Sequence, residues 1–299
     1  MDPSGHHPFR SAKAREQFLA RYDSRAADWP VASESRRVDT SLGQAFVRVS
    51  GPADAPPLVL LHGAGGSSLQ WAANVEAFAR HFRVHAVDML YDNGRSVYAR
   101  PATSPGELTA WLDELFDGLG LAGGIHLVGL SYGGWLASQY ALRSPQRLQK
   151  LVLLAPVFTV LPLSLGWIAR AVLCLIPLRW FTRRFMLWLL ADLAQKGEEG
   201  HRAALEWAED SFVAMRSFKP RRLVNPTILR DDELAGLKMP TLFLVGENEK
   251  IYSAQSAVAR IQRVAPRIET EIVPGAGHDL TLVQAARVND KIVGFLRQP

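Results

Sequence analysis

One stretch constrains this chain more than any other. The apolar run Ile125 to Leu130 ends in Gly129-Leu130-Ser131-Tyr132-Gly133, and a segment of helical periodicity, Tyr132 to Arg143, follows at once. A serine held between a strand end and a helix start needs a turn so tight that only small residues fit beside it, and two glycines supply them. The pentapeptide therefore predicts strand, sharp turn and helix in direct succession, with the serine hydroxyl presented at the carboxyl edge of a sheet. Short Gly and Ser motifs also arise by chance in loops, so the reading depends on whether the rest of the chain supplies partners for that hydroxyl.

The rest of the chain has the matching rhythm. Strand-like runs at Ala45 to Ser50, Leu58 to Leu61, Val84 to Val87, Ile125 to Leu130, Leu151 to Leu154, Thr241 to Val245 and Ile268 to Val273 alternate with amphipathic segments such as Glu107 to Leu119. That alternation predicts an α/β chain with a mainly parallel sheet, helices on both faces, and chemistry at the carboxyl ends of the strands. The rhythm breaks between about Phe158 and Lys238, a stretch without strand pattern that carries Trp167, Trp180, Trp188 and Trp207. The expected division is a core of residues 1–157 and 239–299 with a helical cap of residues 158–238 over the active edge. A chain of 299 residues that is 48% hydrophobic can bury one substantial core with such an insertion riding on it.

Three features must accompany an activated serine: an oxyanion-stabilising loop after an earlier strand, an acid after a later one, and a histidine last in the chain. Leu58-Val59-Leu60-Leu61 runs into His62-Gly63-Ala64-Gly65-Gly66, whose glycines let the main chain approach a substrate. Ala64 and Tyr132 are the candidate N–H donors to a developing oxyanion, and His62 is expected to brace the loop. Thr241 to Val245 ends in Gly246-Glu247-Asn248-Glu249. Both glutamates could orient an imidazole, and a Gly-x-x-acid turn returns its last residue over the sheet, which favours Glu249. His278, in Pro274-Gly275-Ala276-Gly277-His278-Asp279, is the candidate base, because a loop tip lets one ring nitrogen reach the serine while the other faces the carboxylate.

Rival patterns are less complete. Gly63-Ala64-Gly65-Gly66-Ser67-Ser68 with Asp88 downstream imitates a dinucleotide-binding turn and its ribose acid, but Ser68 stands where the third glycine belongs. His81 and His85 have an i,i+4 spacing without the following glutamate or a third ligand, so no metal is expected; His6, His7, His126 and His201 form no motif. The formal charge is +5, yet the arginines are scattered and no nucleic-acid module is present, so no nucleic-acid partner is expected. Cys174 is the only cysteine, which precludes an intrachain disulfide and suits a reducing compartment. With charges throughout the first thirty residues and no apolar signal segment, a cytoplasmic location is expected.

Two segments of the insertion bear on membranes. Leu151 to Ala169 is uncharged for nineteen residues, near the length of a span, but its first part completes a strand and Pro156 and Pro162 interrupt it. Leu178 to Leu190 carries Arg179 and Arg183 on one side, with Phe181, Phe185 and Trp188 roughly opposite. Packing of that apolar face on the core is one expectation, and weak interfacial membrane contact through the cap is the other.

Together these residues resemble the α/β-hydrolase family, over nearly the whole chain from about Ser41 onward. Trp29-Pro30, the segment Gly51-Pro52-Ala53-Asp54-Ala55-Pro56-Pro57 leading into Leu58 to Gly63, and Gly246-Glu247-Asn248-Glu249-Lys250-Ile251-Tyr252 are similar to small bacterial carboxylesterases of the naproxen-ester-cleaving type. The resemblance implies an α/β-hydrolase fold: a mostly parallel eight-stranded sheet flanked by helices, with a helical cap inserted after the sixth strand. It implies a triad of Ser131, Glu249 and His278, no cofactor, and a small-molecule carboxylic ester as substrate, cleaved through an acyl-enzyme. The hydrophobic cap adds an apolar acyl or alcohol group to that expectation. The same fold hosts lipases, thioesterases, lactonases, carbon–carbon hydrolases and cofactor-free haloperoxidases, and a catalytically silent receptor or scaffold is the alternative of another class. Serine at the turn argues against dehalogenase and epoxide-hydrolase chemistry, which needs a carboxylate nucleophile.

Overall fold

Strand pairing brings distant loops of the chain to one edge. The computed structural model describes residues 8–220 and 223–298, so His6 and His7 lie outside the described residues. Among the described residues nine strands form one sheet: β1 (Ser33–Thr40), β2 (Gly43–Ser50), β3 (Pro57–Leu61), β4 (Arg83–Asp88), β5 (Val97–Tyr98), β6 (Ile125–Leu130), β7 (Leu148–Leu154), β8 (Thr241–Gly246) and β9 (Glu269–Val273). Eight follow the order β1-β2-β4-β3-β6-β7-β8-β9, and the two-residue β5 pairs with β2 off that path. The ninth strand is the one departure from the expected count. All pairings from β4 through β3 to β9 are parallel, whereas β2 is antiparallel to β1, β4 and β5.

Every residue of β6 and β8 is buried, the signature of strands covered on both faces, and it explains why they read as nearly continuous apolar runs, with His126 and Thr241 the polar exceptions. The helices among the described residues are α1 (Ala12–Ala27), α2 (Val75–Ala79), α3 (Pro105–Gly118), α4 (Tyr132–Arg143), α5 (Leu165–Leu173), α6 (Arg179–Leu189), α7 (Ala191–Ala194), α8 (Gly197–Ser217), α9 (Asp231–Ala235), α10 (Ala254–Val264), α11 (Leu280–Val283) and α12 (Ala285–Arg297). Helix α4 packs on β6 and β7 and against α3, while α2 packs on β4 and against α12. Trp71, Trp111, Trp135 and Tyr140 are fully buried among these layers.

Helices α5 to α8 follow β7, the sixth strand of the eight-strand path, and among the described residues no strand lies between β7 and β8. The uncharged stretch Leu151 to Ala169 divides into the end of β7, a turn and the start of α5. No helix among the described residues is long and apolar enough to cross a membrane.

The order of the sheet reverses around β3, whose neighbours are β4 and β6, and such a switch point opens a crevice at the strands' carboxyl ends. Leu61 lies opposite Gly129, so the loops after β3 and β6 emerge side by side. Gly246 lies opposite Val273, which does the same for the loops after β8 and β9. Four segments far apart in sequence therefore converge at one edge.

Candidate active site

Ser131 occupies the turn between β6 and α4 with φ 54° and ψ −114°, a left-handed conformation unusual for a residue with a side chain. Three backbone hydrogen bonds hold it there: its N–H donates to Leu154 O at 2.9 Å, and its carbonyl accepts from Trp135 N at 3.0 Å and Val157 N at 3.1 Å. The glycines of the motif are explained by backbone crowding. A Cβ on Gly129 would stand 2.3 Å from Gly133 O, and one on Gly133 would stand 2.3 Å from Leu61 O and 2.5 Å from His62 O. Although Ser131 is the N-cap of α4, its side chain makes no capping hydrogen bond, so the hydroxyl is left for other partners. Tyr132, the first residue of α4, carries one of the N–H groups that have no acceptor within a helix, at the end where the helix dipole favours negative charge.

The loop after β3 is braced from several sides. His62 is fully buried; its Nε2 accepts from Met89 N at 3.0 Å, which leaves Nδ1–H to donate to Gly63 O at 2.8 Å. Both ring nitrogens are thus engaged in holding the loop, as expected for a bracing residue. Gly63 N donates to Gln70 Oε1 at 2.9 Å. Gly65 is gripped at both polar atoms, its N–H donating to the Asp92 carboxylate at 2.9 Å and 3.0 Å and its carbonyl accepting from Asn93 Nδ2 at 2.6 Å. Ala64, between these anchors, is exposed on the wall of the same cavity as Ser131. Sequence reasoning missed Gln70 and Asn93 as supports, because neither the short helical turn that holds Gln70 nor the irregular chain that holds Asn93 gives spacing a signal.

Glu249 and His278 meet. His278 Nδ1 lies 3.0 Å from Glu249 Oε2, and the glutamate side chain has no exposed surface. Glu249 Oε1 accepts from Lys250 N at 2.8 Å and Ile251 N at 2.9 Å, which fixes the carboxylate from its own turn. Glu247 is exposed and accepts instead from Gly275 N at 3.1 Å, so of the two glutamates only Glu249 faces the imidazole. Burial opposes the charged form of the ring, but the Glu249 carboxylate, through its charge and its hydrogen bond, and then Asp279, outweigh burial and hold the His278 pKa above the ordinary imidazole value.

A cavity of about 230 Å³ is lined by Ala64, Ser131 and His278 on the sheet side and by Trp167, Thr182, Phe185, Met186 and Leu189 above. Thr182, Phe185, Met186 and Leu189 recur at the three- and four-residue spacing of one face of α6, so that helix turns its apolar face toward the cavity. A second space of about 270 Å³ between α1 and α8 shares Gly65, Gly66, Gln70 and Trp207 with the first. The helices above are tied to the acid and base loops. Asp279, whose pKa burial raises, accepts from Leu193 N at 2.8 Å, and Asn248 Nδ2 donates to Asp192 Oδ1 at 2.7 Å.

The dinucleotide alternative loses its key residue. Asp88 is fully buried and already accepts from Ser68 N at 2.7 Å, Arg95 N at 2.8 Å and Tyr22 OH at 3.0 Å, which leaves it facing protein where a ribose would have to sit. The acid that sequence spacing offered to a nucleotide is instead a clasp between β4, α1 and the loop that follows the glycines.

Comparison with known proteins agrees with this geometry. The model of the alpha/beta hydrolase family matches residues 58–291. The carboxylesterase YbfK of Bacillus subtilis (strain 168) is 32% identical over 291 residues, 96% of each chain. Its crystal structure, CesB, superposes with a TM-score of 0.86 at 31% identity, covering 96% of this chain and 99% of that one. The crystal structure of naproxen esterase from Bacillus subtilis gives 0.87 at 30% identity, covering 96% of this chain and 100% of that one. A family match over most of the length, on the strand order and turn geometry described above, establishes that the chain belongs to the α/β-hydrolase family.

Proposed function

We propose that this chain is a serine hydrolase that cleaves small carboxylic esters with an apolar acyl or alcohol group, by way of an acyl-enzyme and without a cofactor. Ser131 is the nucleophile, His278 the general base and then acid, Glu249 the residue that orients and stabilises the imidazolium, and Ala64 and Tyr132 the N–H donors to the oxyanion. The observation that carries the reading is the 3.0 Å pairing of His278 with buried Glu249, on the wall of the cavity into which a left-handed Ser131 opens.

With Nδ1–H donated to Glu249, the other ring nitrogen of His278 is free to take the Ser131 proton as Oγ attacks the ester carbonyl. Negative charge then develops on the carbonyl oxygen, where the N–H groups of Ala64 and Tyr132 and the α4 dipole stabilise it. Collapse expels the alcohol with the proton from His278, and water deprotonated by the same ring hydrolyses the acyl-enzyme. Residues 158–238 serve as a cap over a core of residues 1–157 and 239–299, and the apolar lining from α6 favours an apolar substrate group. The lone Cys174 accords with a reducing, cytoplasmic setting. The B. subtilis relatives named carboxylesterase support the ester as the bond attacked.

The test is turnover of p-nitrophenyl esters graded by acyl length, with thioester and amide analogues, by wild type and by Ser131→Ala and His278→Ala. Each variant should lose at least about a thousandfold in kcat/KM while keeping its circular dichroism. Undiminished hydrolysis by Ser131→Ala, or failure of a fluorophosphonate to label the wild type, refutes the proposal.

A further inference from the structure

Exposed large hydrophobic residues are not spread over this molecule. Of the nine among the described residues, eight lie between Leu165 and Trp180: Ile228 is the exception. They form the outer side of α5, the turn after it and the start of α6, and they include Leu165 at 83% exposure, Leu175 at 73%, and Leu178 and Trp180 at 57% each. The inner side of the same helices is already used, since Trp167, Thr182, Phe185 and Met186 line the cavity. Of the aromatic residues anticipated on one face of α6, Phe185 lines the cavity and Phe181 and Trp188 do not, while a second apolar surface, from α5 and the turn, points outward. Water-exposed clusters of this kind mark contact surfaces, whereas single exposed apolar residues need no explanation.

Charge indicates what the surface contacts. Arg170, Arg179, Arg183 and Arg184 are all exposed on these two helices, and the chain contains no acidic residue between Asp117 and Asp192. The counter-charge nearest in the fold is Glu209 on α8, 3.2 Å from Arg179. Arg184 stacks over Trp180 with its guanidinium 4.8 Å from the ring, an arrangement that keeps cation and aromatic at one level. A short helical pair with outward leucines, a tryptophan and four arginines, of which among the described residues only Arg179 is paired with an acid, has the chemistry of a segment that lies in a membrane interface, apolar side chains in the acyl region and arginines among anionic headgroups.

We infer that residues 165–184 form a docking surface for an anionic lipid bilayer, held peripherally. The inference does not depend on the esterase reading, and binding can be measured without turnover.

Flotation of the full chain with phosphatidylcholine vesicles, with and without about one third phosphatidylglycerol, tests it. Anionic vesicles should bind at least about tenfold more tightly than neutral ones, with the preference collapsing in high salt. Leu175→Glu combined with Trp180→Glu should abolish flotation, and Arg183→Gln combined with Arg184→Gln should remove most of the anionic preference. Neither pair lines the cavity, so hydrolysis of a short, water-soluble ester and the circular dichroism spectrum should be unchanged in both. Absence of flotation with anionic vesicles overturns the inference, as does equal binding to neutral ones or binding indifferent to the Leu175 and Trp180 changes. If the wild type instead sediments as a dimer that those changes dissociate, with no vesicle binding, the surface belongs to a second copy of the chain and the lipid assignment is wrong.

Discussion

As the proposed nucleophile, Ser131 combines a side chain that the reaction requires with an unfavourable backbone, and the two can be separated by substitution. At φ 54° and ψ −114° a residue with a Cβ is held in a sparsely populated region at a cost of about 1–3 kcal/mol, tolerated because surrounding bonds over-determine it. Here those bonds are the three from Leu154, Trp135 and Val157. Ser131→Ala removes the hydroxyl and keeps the strain, whereas Ser131→Gly removes both. Glycine also gives the unfolded chain more freedom, which costs about 0.4–1 kcal/mol and partly offsets the relief. The glycine variant should therefore be more stable than the alanine variant by about 1 kcal/mol, or a melting point higher by about 1.5–2 °C in a chain of this size. Thermal and urea unfolding of the two purified variants measures the difference, with ester hydrolysis checked to be at background in both. A glycine variant that melts at or below the alanine variant would show that the turn stores no strain, and the argument that function maintains this conformation would fail.

Other consequences follow from the same geometry. In wild type, kcat/KM should rise with pH through an inflection above the ordinary imidazole value near 6.5, because the base must be neutral and Glu249 holds its proton. Glu249→Gln should lower turnover by about three to four orders of magnitude and move the inflection down, since only the smaller effect of Asp279 then opposes burial; Glu247→Gln should do neither, and the reverse pattern would reassign the acid. Gly133→Ala should fail to yield folded protein, because the added methyl meets Leu61 O at 2.3 Å within rigid backbone; a soluble, cooperatively melting variant contradicts the crowding argument. His85 is pushed down to about 4 by burial and then by Arg83 and Arg36. Below pH 6.5 the unfolded chain takes up a proton that the folded ring refuses, so stability falls between pH 6.5 and 4, by on the order of 2 kcal/mol after allowing for screening. His85→Phe should flatten that part of a urea-unfolding pH series, measured against wild type.

The parts of the fold that were readable in the sequence are those where one physical demand dominates. Strands buried on both faces are nearly all apolar, and β3, β6 and β8 accordingly appear in the sequence within a residue of their observed ends. Strand β1 follows the opposite rule: with five consecutive exposed residues and an edge position it has no alternation to read, and Ser33 to Arg37 pattern like a loop. The two-residue β5 is too short to carry any pattern. Helix α1 was likewise not anticipated, because it buries only Phe18 and Tyr22 and packs on α8, a partner nearly two hundred residues away.

The same distinction holds at the site. The glycines on either side of Ser131 are written into the sequence because a Cβ there would stand 2.3 Å from backbone oxygens, and the choice of Glu249 over Glu247 followed from where a short turn returns the chain. What supports them is chosen by three-dimensional proximity. Asp92, Asn93 and Gln70 grip the glycine loop, and Asp279 and Asn248 tie the helices above to the base and acid loops, through side chains that in sequence are ordinary loop polars. Asp88 illustrates the risk: its spacing from the glycines imitates a nucleotide site, yet its three partners Ser68, Arg95 and Tyr22 make it a clasp. A carboxylate's role is fixed by which N–H groups reach it, and those come from whichever segments the sheet order brings together. In this chain the reversal around β3 brings the glycine loop to the serine turn, so each candidate catalytic residue sits in a local motif that sequence can show, while the residues that hold these motifs together are neighbours only in space.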